Sequence, residues 1–186
     1  MSPEERELVL QQSLANEDNV RIALLIGTTF EELRFRIIRG FADSLSNRLR
    51  ERFGPAWRVR NGIGVDGYLQ KSESLWASRH FGIERVTVSL RYDKSPERMY
   101  YAVLKEEPRS SSTINWVRVK HELDRRFAVG QANETCHWMS YVDHAYRNWY
   151  DVEILPKLWK KAEAVIYFSN RLSAIMGIIA SVLQAS

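Results

Sequence analysis

Hydrophobic and polar positions alternate along this 186-residue chain with two different periods, and the change of period sets out its elements. Residues 3–15 read as a short helix, with Pro3 in its first turn and Leu8, Leu10 and Leu14 available for burial. Val20 to Ile26 is a compact apolar run that is either a second helix or a continuation. Thr28 and Thr29 stand three residues before Glu31 and Glu32, the spacing of a capping box. Phe30, Leu33, Ile37, Phe41, Leu45 and Leu49 then recur every three or four residues, and Gly54-Pro55 is a stop signal. This predicts a helix over about 29–53.

The period then shortens to two. Trp57, Val59 and Asn61 alternate with Arg58 and Arg60, a strand with one wet face. Val86, Val88, Leu90 and Tyr92 alternate with Arg85, Thr87, Ser89 and Arg91, and after the turn at 93–96 the chain returns through Met99 to Lys105. Residues 70–79 are ambiguous between helix and loop, and 106–113 read as a polar loop. Trp116, Val119, Leu123 and Phe127 mark a helix ending near Gly130, and 137–142 suit a further strand. The fold class expected is one α+β domain, residues 1–186, with three or four antiparallel strands packed with long amphipathic helices.

A last helix is predicted from Pro156 onward, with Leu158, Ala162, Val165, Ile166 and Leu172 leading its apolar stripe. Ser169, Asn170 and Arg171 interrupt the run Ala164–Leu183, so it reads as buried in protein and not as a membrane span. From Leu172 to Ser186 no residue is charged, and Gly177 and Ala180 leave room for close helix approach. The segment is either the central helix of the fold or an interface. Its wide apolar circumference favours the interface, with Ile175, Ile178, Ile179, Val182 and Leu183 as the contact set and a dimer, or a complex with a protein partner, as the expectation.

Charge and cysteine content narrow the setting. Cys136 is alone, so no internal disulfide forms, and the acidic N-terminus lacks the character of a secretory signal. A cytoplasmic protein is expected. Net charge is +4, with only seven lysines among the 27 basic residues. Arginine's planar fork suits phosphates, carboxylates and aromatic faces, and codon bias would give the same excess.

No catalytic or metal pattern holds together. Gly62-Ile63-Gly64-Val65-Asp66-Gly67 spells a dinucleotide-binding turn, but the strand before it is wet on one face and no βαβ unit follows, so it reads as a glycine-rich turn. No lysine has an acid two residues before it, which removes the usual acid–x–lysine nuclease motif. Cys136, His137, Asp143 and His144 are all potential zinc ligands without zinc spacing. A Cys136 nucleophile with His121 or His144, or acid–base work by His121, His137 or His144 with Asp66 or Glu84, has no further support. Neither a cofactor nor a small-molecule substrate is inferred.

The densest local chemistry is 137–150, where Trp138, Tyr141, Tyr146, Trp149 and Tyr150 sit with His144 and Arg147. Such side chains make interface hot spots and base-stacking platforms. A helix, the W-x-V strand, the V-x-V-x-L hairpin returning through Tyr100-Tyr101-Ala102-Val103, a Trp-rich segment and a long helix follow in order over residues 28–182. That order resembles accessory regions of PD-(D/E)XK nuclease-superfamily proteins of bacterial defence systems and mobile elements. With the acid–lysine motif missing, the resemblance implies a nuclease-associated binding module without chemistry of its own. The expectation is a non-enzymatic protein-binding module. The alternatives are nucleic-acid binding and a divergent enzyme of the nuclease fold. Nucleic acid would use Arg58, Arg60, Arg85 and Arg91 on one sheet face with the 137–150 aromatics, unless Glu73, Glu84 and Glu97 neutralise that face.

Overall fold

The computed structural model describes residues 2–63, 74–81, 84–92, 98–105 and 114–184. They fall into two compact units, Met1–Arg36 and Ile37–Ser186.

The first unit holds α1 (Pro3–Ser13) and the first half of α2 (Glu17–Phe53). Ser2 caps α1: its hydroxyl accepts from the Glu5 N–H while the Glu5 carboxylate accepts from the Ser2 N–H, a capping box. No residue of α1 is buried. The start expected at Thr28-Thr29 does not occur, because α2 is already helical from Glu17. The Thr29 hydroxyl instead donates to the Leu25 carbonyl at 2.7 Å, one turn back, so it bonds within the helix rather than capping a new one.

The second unit is built on a five-stranded antiparallel sheet in simple sequential order: β1 (Arg58–Asn61), β2 (Ser74–Phe81), β3 (Glu84–Tyr92), β4 (Met99–Leu104) and β5 (Cys136–Tyr141). The fifth strand is β2, in the stretch expected to be helix or loop. Its pattern is misleading because Trp76 lies on the outer side and small Ala77 on the inner side. The glycine-rich motif lies outside the described residues beyond Ile63, as do the turn at 93–96 and the loop at 106–113. α2 ends at Phe53 as expected, with Gly54 at φ 50 and a 3-10 turn over Gly54–Ala56.

Cross-strand partners share a sheet face, so register assigns every side chain to a side. Val59, Ala77, Val88, Val103 and Trp138 form one row, with Leu75, Leu90 and Tyr101 in the next; this side is the core. The helices pack here: α3 (Trp116–Arg126), the C-terminal half of α2, and α6 (Ala162–Gln184), preceded by the short α4 (His144–Arg147) and α5 (Leu155–Lys160). Phe168 of α6 meets Phe41 of α2 at 5.3 Å and Tyr101 of β4 at 6.3 Å, and Trp149 meets Phe41 edge-on at 5.2 Å. Of the α2 stripe, Ile37, Phe41, Leu45 and Leu49 are buried, while Leu33 is exposed. The single final helix expected from Pro156 is divided at Lys161, whose φ of 58 turns the chain between α5 and α6.

A polar knot ties α3 to β5 beneath this core. Asp124 Oδ1 accepts from the Gly130 N–H at 2.8 Å and from Trp138 Nε1 at 3.0 Å, and its Oδ2 pairs with Lys120. Burial pushes the Asp124 carboxyl up. Donation from Lys120, Gly130 and Trp138, with the Lys120 charge, outweighs that and leaves it below its ordinary value. A lowered folded-state pKa gives stability that is complete above the unfolded value and lost as pH falls through the folded one. Acid denaturation of the wild type is therefore expected to begin below about pH 4. Asp124→Asn should flatten that limb while lowering stability at pH 7, measured as melting temperature against pH. An unchanged acid limb would show that this carboxylate does not contribute.

Candidate nucleic-acid interface

The opposite side of the sheet carries a different chemistry. Register places Arg58 beside Ser78 and Thr87, and Arg60 beside Trp76, Ser89, Ala102 and Met139. Ser74, Arg91, Tyr100 and Tyr141 form the next row, and His80 pairs with Arg85. The four arginines singled out in the sequence thus share one sheet face. Arg58, Arg60, Arg85 and Tyr141 are exposed, Trp76, Arg91 and Tyr100 are half-buried, and Ser78, Thr87, Ser89 and Ala102 are buried between them. Among the described positions on this face there is no aspartate or glutamate. Glu73 and Glu97 lie outside the described residues.

Aromatic rings are interleaved with these cations. The Arg60 guanidinium sits 5.6 Å from the Trp76 ring centroid, and Tyr100 and Tyr141 meet edge-on at 6.4 Å. The Arg147 guanidinium lies 5.3 Å from the Tyr141 ring. Two polar atoms on the face are buried without a hydrogen-bond partner: Ser89 Oγ, on a fully buried residue, and Arg91 Nε. Leaving such a group unpaired costs about 1–3 kcal/mol, and native folds hold few of them. Both are donors on β3, at positions 89 and 91.

Sequence reasoning missed Trp76 and Tyr100. Trp76 lies in the strand that was not recognised, and Tyr100 stands next to Tyr101, which points to the core. The period-two pattern of β4 would have separated those two tyrosines.

The 137–150 segment divides. Trp138 and Trp149 are fully buried and belong to no surface: Trp138 Nε1 donates to Asp124 and Trp149 Nε1 to the Tyr146 carbonyl at 3.0 Å. They were expected in the binding set, but their area is needed where the sheet meets the helices. Tyr146 stacks on Tyr167 at 4.7 Å, and Tyr146, Arg147 and Tyr150 are half-buried. Tyr141 and His144 are exposed.

The contact set expected on the C-terminal helix divides as well. Ile175, Ile179 and Val182 are buried in the chain's own core, and Ile178 and Leu183 flank them half-buried. The outward line of α6 is Ile166, Asn170, Gly177, Ser181 and Gln184. Those residues are mostly small or polar, so the wet side of the uncharged stretch from Leu172 onward is not an apolar face. α6 is long and apolar enough to cross a membrane by length and composition alone, with mean hydropathy 1.5 over its most apolar 18 residues.

The candidate catalytic groups are scattered. Cys136 is buried. His121 is exposed with Nδ1 3.7 Å from Glu122, and His137 stacks flat on Trp116 at 3.7 Å. Asp66 lies outside the described residues, among which no group of three His, Cys, Asp or Glu could hold a metal. Asp143 accepts from the Tyr167 hydroxyl at 2.5 Å and from Arg171 at 3.0 Å, fastening α6 to the end of β5. Burial, then the hydrogen bond and charge of Asp143, push the Tyr167 phenol up to about 12, so it stays protonated and serves as a strut.

No family model, curated protein or solved structure matches this chain.

Proposed function

We propose that the protein binds single-stranded nucleic acid across the arginine face of its sheet, without catalysing a reaction. The observation that carries this reading is the composition of that face: Arg58, Arg60, Arg85 and Arg91 with Trp76, Tyr100 and Tyr141, and no described acid among them. Guanidiniums neutralise phosphates, while aromatic rings accept any base by stacking. Five strands at ~4.8 Å spacing make a platform about 19 Å wide, enough for a short run of nucleotides. A duplex hides its base faces and would use only the cations.

Fluorescence anisotropy with labelled single-stranded and duplex oligonucleotides tests it. The single strand is expected to bind more tightly, with log K falling against log salt at a slope of roughly −2.8 for four neutralised phosphates. No affinity at low salt, or affinity indifferent to salt, would sink the reading.

A second reading, contact with protein, is favoured by the first unit. Ile22, Ile26, Thr29 and Leu33 lie four, three and four residues apart along α2, the spacing of a coiled-coil seam, and the three apolar ones are about half exposed or more. The neighbouring charges are neutralised in place by the Arg34–Glu31 and Arg36–Glu32 pairs, so a second copy meets no net repulsion there. Self-association through this seam is the proposal. Light scattering at micromolar concentration should give a dimer or larger species, and Ile22→Asp with Ile26→Asp should give monomer. A wild-type monomer would end this second reading without touching the first.

A further inference from the structure

The arginine face does not stop at β5. Beyond it, Arg98, Tyr141, His144 and Arg147 line an open cavity of about 430 Å³, together with Asn148, Asp151 and Ile154 among the described residues. That volume lies within the range of small-ligand sites. Tyr141 belongs to both places: its ring meets Tyr100 on the sheet and takes the Arg147 guanidinium at 5.3 Å on the cavity side. A chain tracking the arginines from β1 therefore reaches this cavity as it leaves the sheet.

The donors and acceptors of the cavity are unbalanced. Asn148 Oδ1 is occupied by the Tyr150 N–H at 2.9 Å, and Asp151 Oδ1 by the Glu153 N–H at 2.8 Å. Arg147 spends Nε on the Val142 carbonyl at 2.9 Å, and no described carboxylate lies within ion-pair distance of either guanidinium. Among the described lining residues two guanidiniums and an imidazole thus face one partly committed acid, beside an aromatic ring that is 44% exposed. A wall of this kind suits an anion attached to an aromatic ring.

Resting on the nucleic-acid reading, we infer that this cavity is a subsite for a nucleotide carrying a phosphate monoester, at the end of a bound strand. A terminal monoester carries close to two negative charges at neutral pH, whereas each internal diester carries one. Arg98 and Arg147 together match the terminal group, and Tyr141 stacks the base attached to it. The same chemistry occurs in a free nucleoside monophosphate, so the experiment separates the two sources.

One oligonucleotide sequence is titrated in three forms, with a 5′-phosphate, a 3′-phosphate or hydroxyls at both ends, alongside a free nucleoside 5′-monophosphate. One phosphorylated end is expected to bind at least tenfold more tightly than the hydroxyl form. Arg98→Ala should erase that difference, bringing the phosphorylated form to the affinity of the hydroxyl-ended strand measured with the same variant, with Arg147→Lys as a second variant that keeps the charge. Equal affinity for all three forms would overturn the subsite and leave the sheet reading standing. Saturable binding of the free monophosphate, lost in Arg98→Ala, with no affinity for any strand would overturn the sheet reading and keep the cavity as a mononucleotide site. Failure of every probe to bind would overturn both.

Discussion

Replacing Arg58 and Arg60 by glutamate is expected to lower affinity for a single-stranded oligonucleotide by at least a hundredfold at low salt. Both residues are exposed on the edge strand β1, and the exchange breaks no ion pair among the described residues. Two phosphate contacts are lost and two repulsions gained, and the salt slope should become shallower by about 1.4. Trp76→Ala makes the complementary test. Removing one stacking platform costs about 1–3 kcal/mol and should leave the salt slope unchanged. If the arginine variant binds like wild type, or if Trp76→Ala changes only the salt dependence, the sheet face is not where the strand lies.

Gly130→Ala is expected to be the most damaging glycine-to-alanine change among the described glycines. A Cβ at that position would fall 2.0 Å from Trp138 Nε1 and 2.3 Å from its Cδ1, far inside van der Waals contact. The indole cannot swing aside cheaply, because it is fully buried and its Nε1 is bonded to Asp124 Oδ1, the same atom that receives the Gly130 N–H. Overpacking of this kind costs typically 1–3 kcal/mol, and here about 3 kcal/mol or more is expected because a rigid ring and a shared hydrogen bond move together. For a protein of this length that is roughly 6–12 °C in melting temperature, read by circular dichroism. A loss under 2 °C would mean that the 126–131 segment shifts freely and that the knot does not hold β5 to α3.

What the sequence made legible follows from how local each signal is. The β3–β4 hairpin was readable because Val86, Val88 and Leu90 face the core while Arg85 and Arg91 face away, an alternation strong enough to set register by itself. The four-arginine face was readable in parts, as wet sides of β1 and β3. Their coming together depends on β2 lying between them, and β2 has neither β-branched residues nor clean alternation. The Thr28-Thr29 start failed because a capping signal is only a local preference, and the apolar run Val20–Ile26 before it was already helical. Trp138 and Tyr141 lie three residues apart in one aromatic cluster, yet one is core and the other surface, a distinction that strand parity makes and composition does not.

The sheet's two edges have a consequence for how the protein behaves at high concentration. An unpaired strand edge is a template on which another chain can add a strand, the first step of aggregation. β1 is only four residues long and carries two exposed arginines, so it offers little backbone and like charges to any copy that approaches. At the other end the outer side of β5 is partly occupied, since Gln131 bridges Met139 with N–H···O bonds of 2.9 and 2.8 Å in the two directions. Neither edge presents a long, bare, apolar strand. Arg58 and Arg60 therefore guard the sheet against extension, and uncharged substitutions there would remove that protection, which is why charge reversal is the safer probe of binding.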